Sequence, residues 1–287
     1  SIGAVPWESI AAGDTVLIYY RSTPYKEKFA ISAQGTAVSP ITIRGIAGGG
    51  GELPVLDGNN ATTRLALSYG NDERCIIKVG GGTVPPDQVG KYITFENIDF
   101  TSARPPYTYT CDEGTTKSYI YAASGIYVCF GENITVRNCI FRDCGNGFFV
   151  ASSDDPVSKN VLVENCYFYD NGNSARTTEH NSYCAAMGIT YQYNRYGAPR
   201  SGCPASGIKD RSSAMIARYN WVEMVTTDGN RELEFVEAED SVAIQNDPAY
   251  RKTFAYGNIV IEGPSGNRQI VHYGGDNAGL EPIYRHG

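Results

Sequence analysis

Histidine is scarce in this chain, occurring only at positions 180, 272 and 286 and without metal-ligand spacing. The eight cysteines include no CxxC pair, which argues against a zinc ribbon or a thioredoxin-like motif. No apolar run approaches the ~18 residues needed to cross a bilayer. Ser1 is not followed by a charged n-region and apolar h-region, so the sequence reads as mature or trimmed. Basic residues are outnumbered, 24 Lys and Arg against 31 Asp and Glu, and the net charge of −7 argues against nucleic acid or an anionic membrane as partner. Two patterns are missing as well: no helical periodicity separates the strand-like phrases, and no regular leucine positions mark a leucine-rich repeat.

What the chain does have is 32 Gly, 14 Pro, 21 Tyr and 41% hydrophobic residues, the composition of a folded, turn-rich β protein. One short phrase recurs: "ITFENIDF", "ITVRNCIF", "VLVENCYF", "YQYNRYG", "IARYNWVE" and "FAYGNIVI". Their asparagines, Asn97, Asn138, Asn165, Asn194, Asn220 and Asn258, are spaced by 41, 27, 29, 26 and 38 residues, three regular coils and two coils with insertions. One strand phrase per repeat of this length predicts an all-β, right-handed parallel β-helix, a single domain over 1–287. Residues 1–20 supply a short amphipathic cap and the first strand, and insertions are expected at about 101–124 and 196–207. The C-terminal end reads as uncapped. Coils stacked ~4.8 Å apart should carry Asn97, Asn138 and Asn165 as an inward ladder and Phe100, Phe141 and Phe168 as an aromatic core stack. In this register Gln192 and Arg218 take the inward place of Phe95, Val136 and Val163, a buried arginine that needs a charged partner.

An even cysteine count in such a chain favours an oxidising setting, secreted, extracellular or periplasmic. Cys184 and Cys203 flank one loop and are the best candidates for a disulfide, whereas Cys139 and Cys166 read as stacked core residues.

The opening phrases "PWESIAAGDTVLIYY", "GTAVSPITIRG" and "PVLDG", within residues 6–58, resemble the first coils of the β-helical polysaccharide lyases that include chondroitinase B and alginate lyases. The resemblance implies a secreted enzyme that cleaves an acidic, uronic-acid-containing polysaccharide by β-elimination. That reaction needs a cation at the uronate carboxylate, a base for the C5 proton and a donor for the leaving oxygen. The resemblance places a lysine base and an arginine on adjacent coils, a role for Lys209 and Arg231. Arg211 lies two residues from Lys209, on the same face of a strand, and His180 and Tyr193 are alternatives for proton transfer. Arg195, Arg218, Glu234 and Glu237 complete the expected substrate-binding set. The stretch "APRSGCPASGI" before Lys209 holds no carboxylate, so the calcium of the resembling lyases is not supported and no cofactor is expected. Taken alone, Lys209, Asp210 and Arg211 are more often a solvated edge. Two other readings stand beside the enzyme: a structural β-helix stacking end to end into a fibre, and a non-catalytic carbohydrate-binding protein.

Overall fold

The computed structural model describes residues 1–151, 153–225, 231–263 and 269–275. Each coil runs through three parallel sheets in turn. The first, eight-stranded, sheet stacks Thr15–Tyr19, Ile41–Ile46, Gly90–Glu96, Gly131–Arg137, Lys159–Glu164, Met187–Gln192, Ser213–Arg218 and Phe254–Tyr256. A corner then leads into a seven-stranded second sheet of short strands, among them Asp99–Thr101, Ile140–Arg142, Tyr167–Tyr169 and Arg195–Tyr196. The third, eleven-stranded, sheet stacks Cys75–Val79, Ser124–Val128, Asn146–Val150, Ser182–Cys184, Ile208–Asp210, Arg231–Val236 and Gln269–Gly274 above Glu27–Ile31. The result is the expected parallel β-helix, and every recurring phrase of the sequence falls on the first sheet, the corner and the second sheet.

The corner explains the recurring asparagine. Asn97, Asn138 and Asn165 sit there with φ of 59, 55 and 51°, a left-handed conformation that asparagine tolerates better than most residues. Their backbone N–H groups donate to Arg137, Glu164 and Gln192 carbonyls of the next coil at 3.2, 3.1 and 3.1 Å. In the upper coils the same corner is held by Tyr193, Tyr219 and Gly257, with φ of 57, 55 and 65°.

That register corrects the expected ladder by one residue. Asn97, Asn138 and Asn165 lie on the outer side of the corner, with Asn165 Nδ2 donating to Asn138 Oδ1 at 2.6 Å. The inward ladder belongs to the next position, where Asn194, Asn220 and Asn258 follow Ile98, Cys139 and Cys166. Asn194 Nδ2 donates to Asn220 Oδ1 and Asn220 Nδ2 to Asn258 Oδ1, at 3.0 and 2.9 Å. The buried arginine disappears with the shift, because Val163 stacks on Tyr191 and Ala217. Arg218 instead points outward, donating to Gln192 Oε1 at 2.6 Å and to the Tyr256 hydroxyl at 3.2 Å.

The aromatic stack forms as expected and gains a fourth member: Phe100, Phe141, Phe168 and Tyr196 lie ring on ring at 5.0, 4.9 and 4.8 Å. Burial of each such ring contributes roughly 1.5–3 kcal/mol. At the N-terminus, two 3₁₀ turns, Ile2–Ala4 and Trp7–Ser9, close the core, with Trp7 buried and stacked on Phe29 at 3.6 Å. Within the first expected insertion, Thr108–Thr110 and Thr116–Ser118 form an antiparallel hairpin.

The eight cysteines are free thiols. Cys184 lies in a core column between Val150 and Asp210, and Cys203 lies in a loop beside Arg176, so the expected Cys184–Cys203 disulfide is absent. The C-terminal cap expected to be missing, and His286, fall outside the described residues.

Candidate active site

Side chains of the third sheet alternate between the core and the outer face. Ile77, Ile126 and Phe148 point inward; Lys78, Tyr127, Phe149, Tyr183, Lys209, Glu234 and His272 form one outward column in strict register. Outward positions of a surface sheet are normally wet, yet Lys209 and Glu234 are buried, with 9% and 1% exposure. Charges buried in this way require close partners.

Glu234 is the hub. Its Oε1 accepts from Lys209 Nζ at 3.1 Å and from Arg231 Nη1 at 2.5 Å, and its Oε2 accepts from the Ser206 hydroxyl at 2.6 Å. Burial alone would raise its pKa, but neighbouring His180, Lys209 and Arg231 and the Ser206 bond outweigh it and hold the carboxyl down at about 2. Glu234 is therefore a fixed anion across the neutral range and not a proton donor.

Arg211 lies beside this hub. Its Nε donates to the Tyr183 hydroxyl oxygen at 2.9 Å, its Nη1 to the Glu237 backbone carbonyl at 2.5 Å, and its Nη2 pairs with Glu239 at 2.9 Å. Lys209 and Arg211 approach the Tyr183 ring at 5.8 and 5.9 Å. His180 stands edge-on to Tyr183, with ring centroids 5.4 Å apart. His272 Nδ1 lies 3.9 Å from Glu234 Oε1.

The fold that carries this cluster is shared with a known group of chains: the model of the right handed beta helix region matches residues 68–223. This chain belongs to the right-handed β-helix family. Among solved structures, it is similar to an alginate lyase from Paenibacillus sp. str. FPU-7, with 14% identity, a TM-score of 0.43 and 93% of this chain and 94% of that chain covered. It is also similar to a lacto-N-biosidase from Eubacterium ramulus, with 14% identity, a TM-score of 0.47 and coverage of 94% of this chain and 53% of that chain. No curated protein sequence matches the chain.

The β-helix brings together Lys209, Arg211, Arg231, His180 and Glu234, with Glu237 attached through its backbone. Three other expected residues are elsewhere. Tyr193 is an exposed corner residue stacked on Tyr219 at 5.6 Å. Arg195 lies on the second sheet, paired with Glu223 at 3.3 Å, and Arg218 lies on the first. A sequence spacing assigns a coil but not one of its three faces, which is why these three were misplaced.

The Lys209–Asp210–Arg211 triplet is no solvated edge, since its exposures are 9, 0 and 3%. Asp210 points into the core, where its carboxylate accepts from the Tyr191 hydroxyl at 3.0 Å and from the Ser212 N–H at 2.8 Å. His180 loses its candidacy as a base on geometry. Its Nδ1 accepts the Ser206 N–H at 3.0 Å, leaving the proton on Nε2. Burial, reinforced by nearby Lys209, pushes its pKa down to about 3, so the ring is neutral at physiological pH.

Sequence reasoning missed Tyr183, Ser206 and His272. The usable signal for Tyr183 was alternation in "NSYC", where Ser182 and Cys184 face the core and Tyr183 the outside; no asparagine phrase marks that sheet.

Proposed function

We propose that this β-helix is a carbohydrate-active enzyme, a polysaccharide lyase that cleaves a uronic-acid-containing polymer by β-elimination on the outer face of the third sheet. The observation that carries the reading is the convergence of Lys209 and Arg231 on one oxygen of buried Glu234, beside a Tyr183 hydroxyl held by Arg211. Burying that many charges off the core has a desolvation cost that a purely structural sheet face would avoid.

Arg231 and Tyr183, each only partly buried, are the groups a polymer can reach. Arg231, backed by Lys209, neutralises the uronate carboxylate and so stabilises the charge that develops when the C5–H bond breaks. Tyr183 transfers the proton: its deprotonated oxygen, held by Arg211, takes the proton from C5, the C4–O bond breaks as the C4=C5 double bond forms, and Tyr183 passes that same proton to the leaving oxygen. Lys209 is the alternative base. No resident cofactor is part of this reading, and the extracytoplasmic setting is proposed with it.

The test is the ultraviolet absorbance of unsaturated uronate product during incubation with alginate, pectate, glucuronan and dermatan. Product formation abolished by Tyr183→Phe but largely retained in Lys209→Arg assigns proton transfer to Tyr183. Retention in Tyr183→Phe with loss in Lys209→Arg assigns it to Lys209, and silence of the wild-type protein on every polymer overturns the lyase reading.

A further inference from the structure

Away from the proposed active site, the hairpin of the first insertion rests on the lower coils of the third sheet. Its tip is the turn Cys111–Asp112–Glu113–Gly114–Thr115, closed by Cys111 N–H to Thr115 O at 2.9 Å and Gly114 N–H to Cys111 O at 3.0 Å. This turn brings Cys111 and Asp112 against Asp72, the first residue of the short 3₁₀ turn Asp72–Arg74. One ligand atom of each residue, the Cys111 thiol and a carboxylate oxygen from each aspartate, lies within 4.8 Å of the other two.

The surroundings point to something missing between them. Asp72 is 8% exposed and its buried Oδ2 has no hydrogen-bond partner. The hydroxyl of Tyr109, 1% exposed, also lacks a hydrogen-bond partner. Tyr109 lies at the cluster, two residues before Cys111, with Lys28 Nζ both 2.8 Å from the Asp72 carbonyl and 3.8 Å over the Tyr109 ring. A buried polar group left unpaired costs about 1–3 kcal/mol, and here two lie in one place. The charge already present is modest, because Lys117 Nζ lies 3.7 Å from Asp72 Oδ2 and is two-fifths exposed, free to move to solvent. Buried Lys28 serves the backbone instead, donating to the Asp72 and Cys75 carbonyls and lying 3.8 Å over the Tyr109 ring.

We propose that Asp72, Cys111 and Asp112 bind a divalent transition-metal cation, with Zn2+ matched by the donor set, and that the ion fastens the hairpin to the coil wall. Two carboxylates and a thiolate suit Zn2+, while the thiolate disfavours calcium and magnesium. Bond lengths of ~2.0–2.3 Å set tetrahedral edges at roughly 3.3–3.8 Å, so the three donors close by about an ångström when the side chains of the hairpin tip rotate. Binding replaces the thiol proton: Zn2+ and the Cys111 thiol give the zinc thiolate and one released proton, and Lys117 withdraws. A Tyr109 oxygen or a water fills the fourth position.

Cobalt is the probe. Metal-stripped protein titrated with Co2+ alone is expected to develop a thiolate-to-cobalt charge-transfer band and tetrahedral visible bands at one ion per chain. Zn2+ should abolish both by displacement. Cys111→Ser should lose the charge-transfer band, and Asp112→Asn should weaken binding by at least ~10-fold, the loss that removing even an outer-shell partner causes. Cys203→Ser, a buried thiol on another loop, should keep the full signal. Because both hairpin-tip variants alter a surface turn, circular dichroism of each checks that the coil is intact. No cobalt–thiolate band in the wild-type protein, or one that survives Cys111→Ser, overturns the site.

Discussion

At the scale of single residues, the molecule separates side chains that stabilise from side chains that act. Phe141 is sandwiched between Phe100 and Phe168 with no exposed surface. Truncation to alanine opens a cavity the stack cannot collapse into, so Phe141→Ala is expected to cost about 3–5 kcal/mol in urea unfolding. His180 behaves differently. Its folded pKa of about 3 lies below the ordinary 6.5, so the unfolded chain takes up the proton first. Its contribution to stability is full above pH 6.5 and declines as the pH falls toward 3, by at most about 1.4 kcal/mol per pH unit. Glu234, at about 2 against 4.5, adds the same sign of effect only below pH 4.5. His180→Asn keeps an acceptor for the Ser206 N–H and removes the titration. Stability measured between pH 6.5 and 4.5 should then lose the His180 slope while the fall below 4.5 remains.

At the scale of the element, the corner between the first and second sheets sets the register of each coil. A left-handed residue there turns the chain and leaves its N–H aimed at the coil above, which is why Asn97, Asn138 and Asn165 recur and why they were visible in the sequence. Asn138→Val puts a β-branched residue at φ 55° and is expected to destabilise by about 1–2 kcal/mol in chemical denaturation, while Asn138→Gly should cost less. The upper coils show how the same signal misleads. Tyr193 and Tyr219 take over the corner, and an asparagine returns one position later, pointing inward. Counting from Asn194 and Asn220 therefore slides the register by one, and one residue moves a side chain to the opposite face of a strand. That single slip placed Arg218 in the core.

At the scale of the whole molecule, the β-helix has little sequence-distant folding to specify, because each coil touches mainly its neighbours. A size measurement separates the enzyme from an end-to-end fibre: a monodisperse monomer across a dilution series agrees with the enzyme reading, and growth with concentration, together with no product on any polymer, favours the fibre. The sequence by itself determined the fold class, the phenylalanine stack and the clustering of Lys209, Arg211, Arg231, His180 and Glu234 on neighbouring coils. It did so because the strand period, the corner asparagine and the stacking of equivalent residues are all local or one coil apart. Only the tertiary structure decided which of three faces each charged residue occupies, that the Lys209–Glu234 pair is buried, and that Cys111 meets Asp72. Those outcomes depend on how corners and insertions orient each coil, and burial and long-range contact leave no period in the chain.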